Sequence, residues 1–337
     1  MKAMLLSRIA SLEDNPEPLQ LADIPAPSPG PHEVRVRVST CGVCHTELDE
    51  IEGRTPPPSL PVVPGHEVIG RVDEIGTSVS RHMIGDRVGV GWIHSSSGEA
   101  DENVDPQFRA TGRDVNGGYA EYLCVPERYA YPVPAGLDDA EAAPLLCAGG
   151  VGFRALRRTL LSNGEILGLT GFGGSGHLVL QAARYLYPDS SIYVFARSTA
   201  ERDFALELGA HWAGDTAEQP PDAPHAIIDT TPAWKPVLSA LTALRPGGRL
   251  VINAIRKRDT DKALMAEIDY ATQLWQEKTV TSVANVTADD IRSFLALAAQ
   301  AGIRSAIDTY PLEDANRALR DLKAGNVRGA KVLRVGG

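Results

Sequence analysis

Cysteine is scarce in this 337-residue chain. Four residues, at positions 41, 44, 124 and 147, are too few for a disulfide framework, so each is a candidate thiol or metal ligand. Positive charge is also short: 33 basic against 43 acidic side chains leave a formal net charge of −10. With no cation excess to displace counterions from a phosphate backbone, nucleic acid is excluded from the expected partners. Long apolar runs are missing too, since no segment approaches the roughly 20 residues that cross a bilayer. The opening stretch, residues 1–18, turns acidic and gains proline before an export core is complete. No membrane partner is expected, and the expected location is cytoplasmic. What is present is core material: 43% hydrophobic and 23% charged residues describe a folded globular chain, long enough for about two domains.

The texture changes near residue 150. Before it lie short alternating runs such as Glu33-Val34-Arg35-Val36-Arg37-Val38, whose period of two predicts a half-buried antiparallel strand. From about 164 to 285 short apolar runs (166–170, 192–196, 226–229, 249–254) alternate with helical patterns near 174–187, 199–208 and 233–244, the signature of a parallel sheet with crossover helices. In the tail, Thr287 to Asp290 reads as a capping box opening a helix over 291–300, followed by a helix near 312–323 and a strand ending at Val335. The expected fold class is therefore α/β: a β-rich domain over 1–150, completed by 286–337, and a doubly wound dinucleotide-binding domain over 151–285. The acidic stretch 94–118 is expected to be an exposed loop.

Gly171-Phe172-Gly173-Gly174-Ser175-Gly176 follows one apolar run and precedes a helical one. In that setting Gly171 allows the tight turn, Gly173 and Gly174 let a pyrophosphate approach the backbone, and Gly176 lets helix and strand pack closely. An acid at the end of the next strand would bind the ribose of NAD, whereas arginine suits the phosphate of NADP. Here the strand ends in Arg197 and Ser198, with no carboxylate before Glu201, so NADP is the preferred cofactor expected, with NAD as the alternative.

Three further segments carry borderline-soft ligands: Cys44 in Cys41-Gly42-Val43-Cys44-His45-Thr46-Glu47, His66 in Pro64-Gly65-His66-Glu67, and Cys147 in Leu145-Leu146-Cys147-Ala148-Gly149. Two thiolates and one imidazole with a fourth position open is how a catalytic zinc is built. Cys124, in an apparent strand, reads as a small hydrophobe. His82, His94, His177, His211 and His225 lack partner patterns and read as surface or packing residues.

These segments, together with Gly85-Asp86-Arg87-Val88, Gly117-Gly118-Tyr119-Ala120-Glu121-Tyr122 and Pro311-Leu312-Glu313-Asp314-Ala315, resemble the zinc-dependent alcohol dehydrogenases of the medium-chain dehydrogenase/reductase superfamily. The resemblance covers nearly the whole chain. It implies a GroES-like catalytic domain interrupted by a Rossmann domain, an active site in the cleft between them, and a homodimer or homotetramer. It implies a catalytic zinc on Cys44, His66 and Cys147, with Cys41 outside the ligand set. Glu67 would be the carboxylate able to approach the metal, and Glu47 would accept a hydrogen bond from the zinc histidine. Thr46 would bond the substrate oxygen. His45, Ala254, Ile255 and Lys331 would contact the cofactor, and Ile51 and Trp92, near Thr55, would line the substrate pocket. The reaction implied is hydride transfer between NADP(H) and a primary alcohol or aldehyde.

The chain departs from that pattern in places. Residues 92–104 contain no cysteine, so no structural Cys₄ zinc is expected, and that lobe should be held by turns and packing alone. Asp49 stands where relatives place a histidine ending the proton relay. Two alternatives stay open: a zinc-free NADPH-dependent quinone or enone reductase, and a non-enzymatic nucleotide-binding protein.

Overall fold

The computed structural model describes residues 1–325 and 328–336. The chain divides into two compact units, Met1–Gly150 with Val286–Gly337, and Val151–Asn285.

The first unit is built around β1 (Glu33–Val43), followed directly by α1 (His45–Ile51). Val34, Val36 and Val38 are buried while Arg37 is exposed, and from Thr40 to Val43 every residue is buried. The alternating half of the strand therefore covers a core with one face, and its last residues carry the chain inside to Cys44. Antiparallel pairing joins β1 to β2 (Val68–Ile75), β2 to β3 (Arg87–Val90), β1 to β4 (Tyr122–Pro126), and β3 to β5 (Ala130–Pro132). The C-terminal strands Ile307–Pro311 and Ala330–Arg334 complete a seven-stranded sheet, so the tail belongs to this unit. The helix Ala288–Ala301 opens on the capping box read from the sequence, with Thr287 and Asp290 each bonding the other's backbone N–H.

The stretch 94–118 is not simply an exposed loop. Ile93–Ser95 pairs antiparallel with Arg109–Ala110, and Glu102 is buried with 2% exposure. Its carboxylate accepts the Tyr129 hydroxyl at 2.9 Å and the Ala288 N–H at 2.6 Å. Ala288 is the first residue of its helix, where N–H groups lack intrahelical acceptors and the dipole favours an anion. The lobe is thus fastened by a buried carboxylate as well as by turns and packing.

In the second unit six strands run parallel: β6 (Leu167–Thr170), β7 (Ile192–Phe195), β8 (Trp212–Gly214), β9 (Ala226–Asp229), β10 (Arg249–Ile252) and β11 (Thr279–Ser282), in the order β8-β7-β6-β9-β10-β11. Strands buried on both faces read as unbroken apolar runs, as in Ile192–Phe195. The crossover helices α2 (Gly174–Leu186), α3 (Thr199–Glu207) and α4 (Lys235–Ala243) supply the covering layers. On α4, Val237, Ala240 and Leu241 pack with Ile227 of β9 and Leu250 of β10. Strand order reverses between β6 and β9, the switch point at which doubly wound sheets bind nucleotides. Among the described residues no helix is long and apolar enough to cross a membrane.

Candidate metal centre and nucleotide turn

Cys44 caps α1: its Sγ accepts the Thr46 N–H at 3.3 Å, and its own N–H donates to Glu47 Oε2 at 2.9 Å. This capping box fixes the thiol at the helix N-terminus, where the positive end of the dipole favours a thiolate. His66 lies just before β2 and is fully buried; its Nε2 is 3.6 Å from Cys44 Sγ, and its Nδ1 is 2.5 Å from Glu47 Oε1. The Nδ1–H donates to the Glu47 carboxylate, which leaves the Nε2 lone pair aimed at the thiol side. Zn–S and Zn–N bonds of about 2.3 and 2.05 Å at a tetrahedral angle would separate the two ligand atoms by about 3.6 Å, which matches the separation observed.

Cys147 and Glu67 close the group, and the four ligand atoms of Cys44, His66, Glu67 and Cys147 all lie within 4.8 Å of one another. Glu67 reaches this place because Gly42 leaves room: a Cβ there would sit 1.7 Å from Glu67 Oε2. Unneutralised, the groups oppose each other's charge. The adjoining Cys147 thiol and then burial push the Cys44 thiol well above its ordinary range, and burial pushes the Glu67 carboxyl up to about 8. A divalent cation inverts that logic, deprotonating thiols that bind it. The donor set therefore fits zinc. Cys41 is buried on β1 and lies outside the four-residue group. Cys124 is half-buried on β4, and burial pushes its thiol to about 12.

Thr46 is buried beside Cys44, and Ile51 is fully buried at the end of α1. Trp92 packs its ring 6.3 Å from the His66 ring and 5.4 Å from Phe108. Asp49 is buried and accepts Arg54 Nε at 2.6 Å. His45 and Ile255 are exposed, and Ala254 is half-buried. Lys331 is 1% exposed, and its ammonium donates to Tyr310 OH at 3.1 Å and to Asp308 at 3.3 Å. The strand Ala330–Arg334 turns this side chain toward its neighbour Ile307–Pro311, which the sequence spacing does not reveal.

In the second unit Gly171 has φ +79°, a conformation that favours glycine, and a Cβ on it would meet Thr230 Oγ1 at 2.8 Å. Gly173 faces open space, and a Cβ on Gly176 would meet the Gly171 carbonyl at 2.8 Å. Turn, open backbone and close packing thus fall on the first, second and third glycines. Gly174 begins α2 with no side-chain cap on its N-terminus, leaving N–H donors for an anion. Arg197 and Ser198 are exposed at the end of β7, and Ser198, the N-cap of α3, makes no side-chain capping bond.

Sequence reasoning gave His177 no task beyond packing. It is fully buried against Phe204, and Nδ1–H donates to the Gly173 carbonyl at 3.0 Å, bracing the glycine turn; the four-residue spacing to Gly173 was the available signal. Burial, opposed by its contacts to the Gly173 and Gly174 backbone, brings the imidazole down to about 4. A folded value below the unfolded one, about 6.5, means that the neutral ring adds stability in full above pH ~6.5. That stability, about 3 kcal/mol, is lost as pH falls toward 4. Urea unfolding of His177→Phe should show a shallower loss of stability across this window than the unsubstituted protein; identical slopes would contradict the assignment.

Known proteins share this architecture. The Alcohol dehydrogenase GroES-like domain matches residues 30–135 and the Zinc-binding dehydrogenase domain residues 198–333. The Mycobacterium tuberculosis protein named "Probable alcohol dehydrogenase AdhA" is 42% identical over 327 residues, 94% of this chain and 92% of that protein. A Geobacillus stearothermophilus alcohol dehydrogenase is 30% identical, covering 97% of this chain and 99% of its own. A cinnamyl alcohol dehydrogenase of Sorghum bicolor superposes with a TM-score of 0.82 at 27% identity, covering 99% and 98% of the two chains. With both domains matched and near-full-length relatives above 30% identity, the chain belongs to the zinc-dependent alcohol dehydrogenases of the medium-chain dehydrogenase/reductase superfamily.

Proposed function

We propose that this chain is an oxidoreductase that interconverts primary alcohols and aldehydes using one catalytic zinc and NADP(H) in preference to NAD(H). The observation that carries the reading is the convergence of Cys44, His66 and Cys147, with Glu67, from three remote segments onto one group of ligand atoms. Among the described residues it is the one such group of three or more candidate ligands, which supports one zinc per chain. When bound, zinc supplies a Lewis acid that lowers the pKa of a coordinated hydroxyl, and the nicotinamide supplies or accepts the hydride.

The chain's own residues do the rest. Glu47 holds the His66 ring in one tautomer and orientation. Thr46, adjoining the Cys44 cap, would accept the hydroxyl proton of an alcohol at Oγ1 while passing its own proton on. Asp49, three residues on along α1 with its Oδ1 held by Arg54, is the carboxylate that would accept the proton at the end of the relay. Gly171, Gly173, Gly174 and Gly176 admit the pyrophosphate to the N-terminus of α2. The preference for NADP rests on Arg197 and Ser198 at the end of β7, with Arg202 bonding the Ala196 and Arg197 carbonyls beneath them. The outer edge of β11, unpaired among the described residues and with Val280 44% exposed, is a liability that a second copy would cover, which supports a homodimer or homotetramer.

The test is a panel of aliphatic and aromatic aldehydes with the zinc-loaded protein, NADPH and NADH being compared on one preparation. Aldehyde-dependent oxidation of NADPH, with kcat/KM about tenfold or more above that for NADH, is expected. Reduction of enones or quinones by metal-free protein, with no aldehyde turnover, would overturn the reading.

A further inference from the structure

We propose that Glu50 and Trp92 form a polar subsite, one helical turn along α1 from Thr46, that binds a second hydroxyl group of the substrate. Terminal diols and hydroxyaldehydes would then be favoured over simple alcohols of the same length. The inference rests on the dehydrogenase reading above and goes beyond it in naming the substrate class.

Glu50 is 1% exposed, and neither of its carboxyl oxygens makes a hydrogen bond of normal geometry. The Trp92 indole N–H is likewise buried without a hydrogen bond of normal geometry, although the indole and the carboxyl face each other, with Arg113, Glu47 and His66 around them. Arg113 is bonded to Asp114 and lies 5.8 Å over the Trp92 ring, so the carboxyl gains no direct ion pair from it. A buried carboxyl left without partners is costly, and an aliphatic residue would fill the position without that cost. An orphaned acceptor beside an orphaned donor is satisfied by one O–H group, which donates to Glu50 and accepts from Trp92.

Position ties this pair to the reacting centre. Thr46 and Glu50 are four residues apart on α1 and share a face, separated by about 6 Å of helix rise. That spacing is close to the oxygen-to-oxygen reach of an extended four-carbon diol. Trp92 packs at 6.3 Å from the ring of His66, a residue of the metal group, so the subsite adjoins the metal group.

The zinc-loaded protein, saturated with NADPH so that no alcohol can be oxidised, is titrated calorimetrically with butane-1,4-diol and with pentan-1-ol, which replaces the second hydroxyl by a methyl group. The diol is expected to bind about 30-fold more tightly, and kcat/KM with NADP⁺ should show the same order. Glu50→Leu should weaken the diol and tighten pentan-1-ol until they differ by about threefold or less, and Glu50→Gln, which keeps the acceptor, should restore most of the preference. Equal binding of the two alcohols to the unsubstituted protein, or a preference that survives Glu50→Leu, overturns the inference. Turnover of neither alcohol would count against the dehydrogenase reading, while the binding ratio would still decide this one.

Discussion

Replacing Cys147 with serine is expected to strip the chain of zinc and to lower kcat/KM by about 10³-fold or more, roughly 4 kcal/mol of transition-state stabilisation. A serine hydroxyl does not deprotonate under conditions in which a zinc-bound thiol does, so the site would lose an anionic ligand and the cation would face His66, Glu67 and a single thiolate. Cys44→Ser should behave similarly and also lose the Thr46 N–H to Sγ cap. Two comparisons make the result specific. Cys41→Ser alters a cysteine three residues from a ligand yet outside the group, and Cys124→Ser one on a different strand; both should retain full zinc. Glu47→Gln keeps the ligands but weakens the Glu47–His66 contact and the Glu47 cap on the Cys44 N–H, so its loss should be smaller, about 10- to 100-fold. Plasma emission analysis beside aldehyde reduction kinetics reads all of these. Retention of full zinc and activity by Cys147→Ser would remove the cysteine from the site.

The second large effect concerns the cofactor. Arg197→Asp is expected to shift the NADP-to-NAD ratio of kcat/KM by about 10³-fold toward NAD. Part of the shift is the loss of charge-assisted hydrogen bonds to the ribose phosphate, and part is repulsion between that phosphate and a new carboxylate. The carboxylate would also accept the free 2′-hydroxyl of NAD, so affinity moves in opposite directions for the two cofactors. Ser198→Ala should give a shift of the same sign but about tenfold or less, because it removes one neutral donor. Steady-state kinetics with both cofactors decide the matter, and a ratio unchanged in Arg197→Asp would place the phosphate contact elsewhere.

What the sequence revealed is largely what local chemistry dictates. The alternation of Glu33 to Val38, the capping box of Thr287 and Asp290, and the spacing of Gly171, Gly173 and Gly176 each express a rule that acts over a few residues, and each is realised in the structure. The convergence of Cys44, His66 and Cys147 was legible because each stands in a distinctive setting. Features that depend on remote partners were not legible. Glu102 reads as a solvated acid in an acidic stretch, and only Tyr129 and the N-terminus of a helix 186 residues away account for its burial. Lys331 reads, by the resemblance, as a cofactor contact, and nothing in its spacing reveals that parallel pairing of its strand sets it beside Asp308 and Tyr310. Glu50 is hidden in the same manner: its position on α1 announces no role, yet it is buried together with Glu47 and Asp49.

Zinc-edge X-ray absorption on the loaded protein, combined with metal stoichiometry, tests the metal-centred reading most directly. One zinc per chain is predicted, with two sulfur neighbours at about 2.3 Å, one imidazole nitrogen at about 2.0–2.1 Å and the remainder oxygen. A protein that binds no zinc, or one whose zinc has four sulfur neighbours or none, would contradict it.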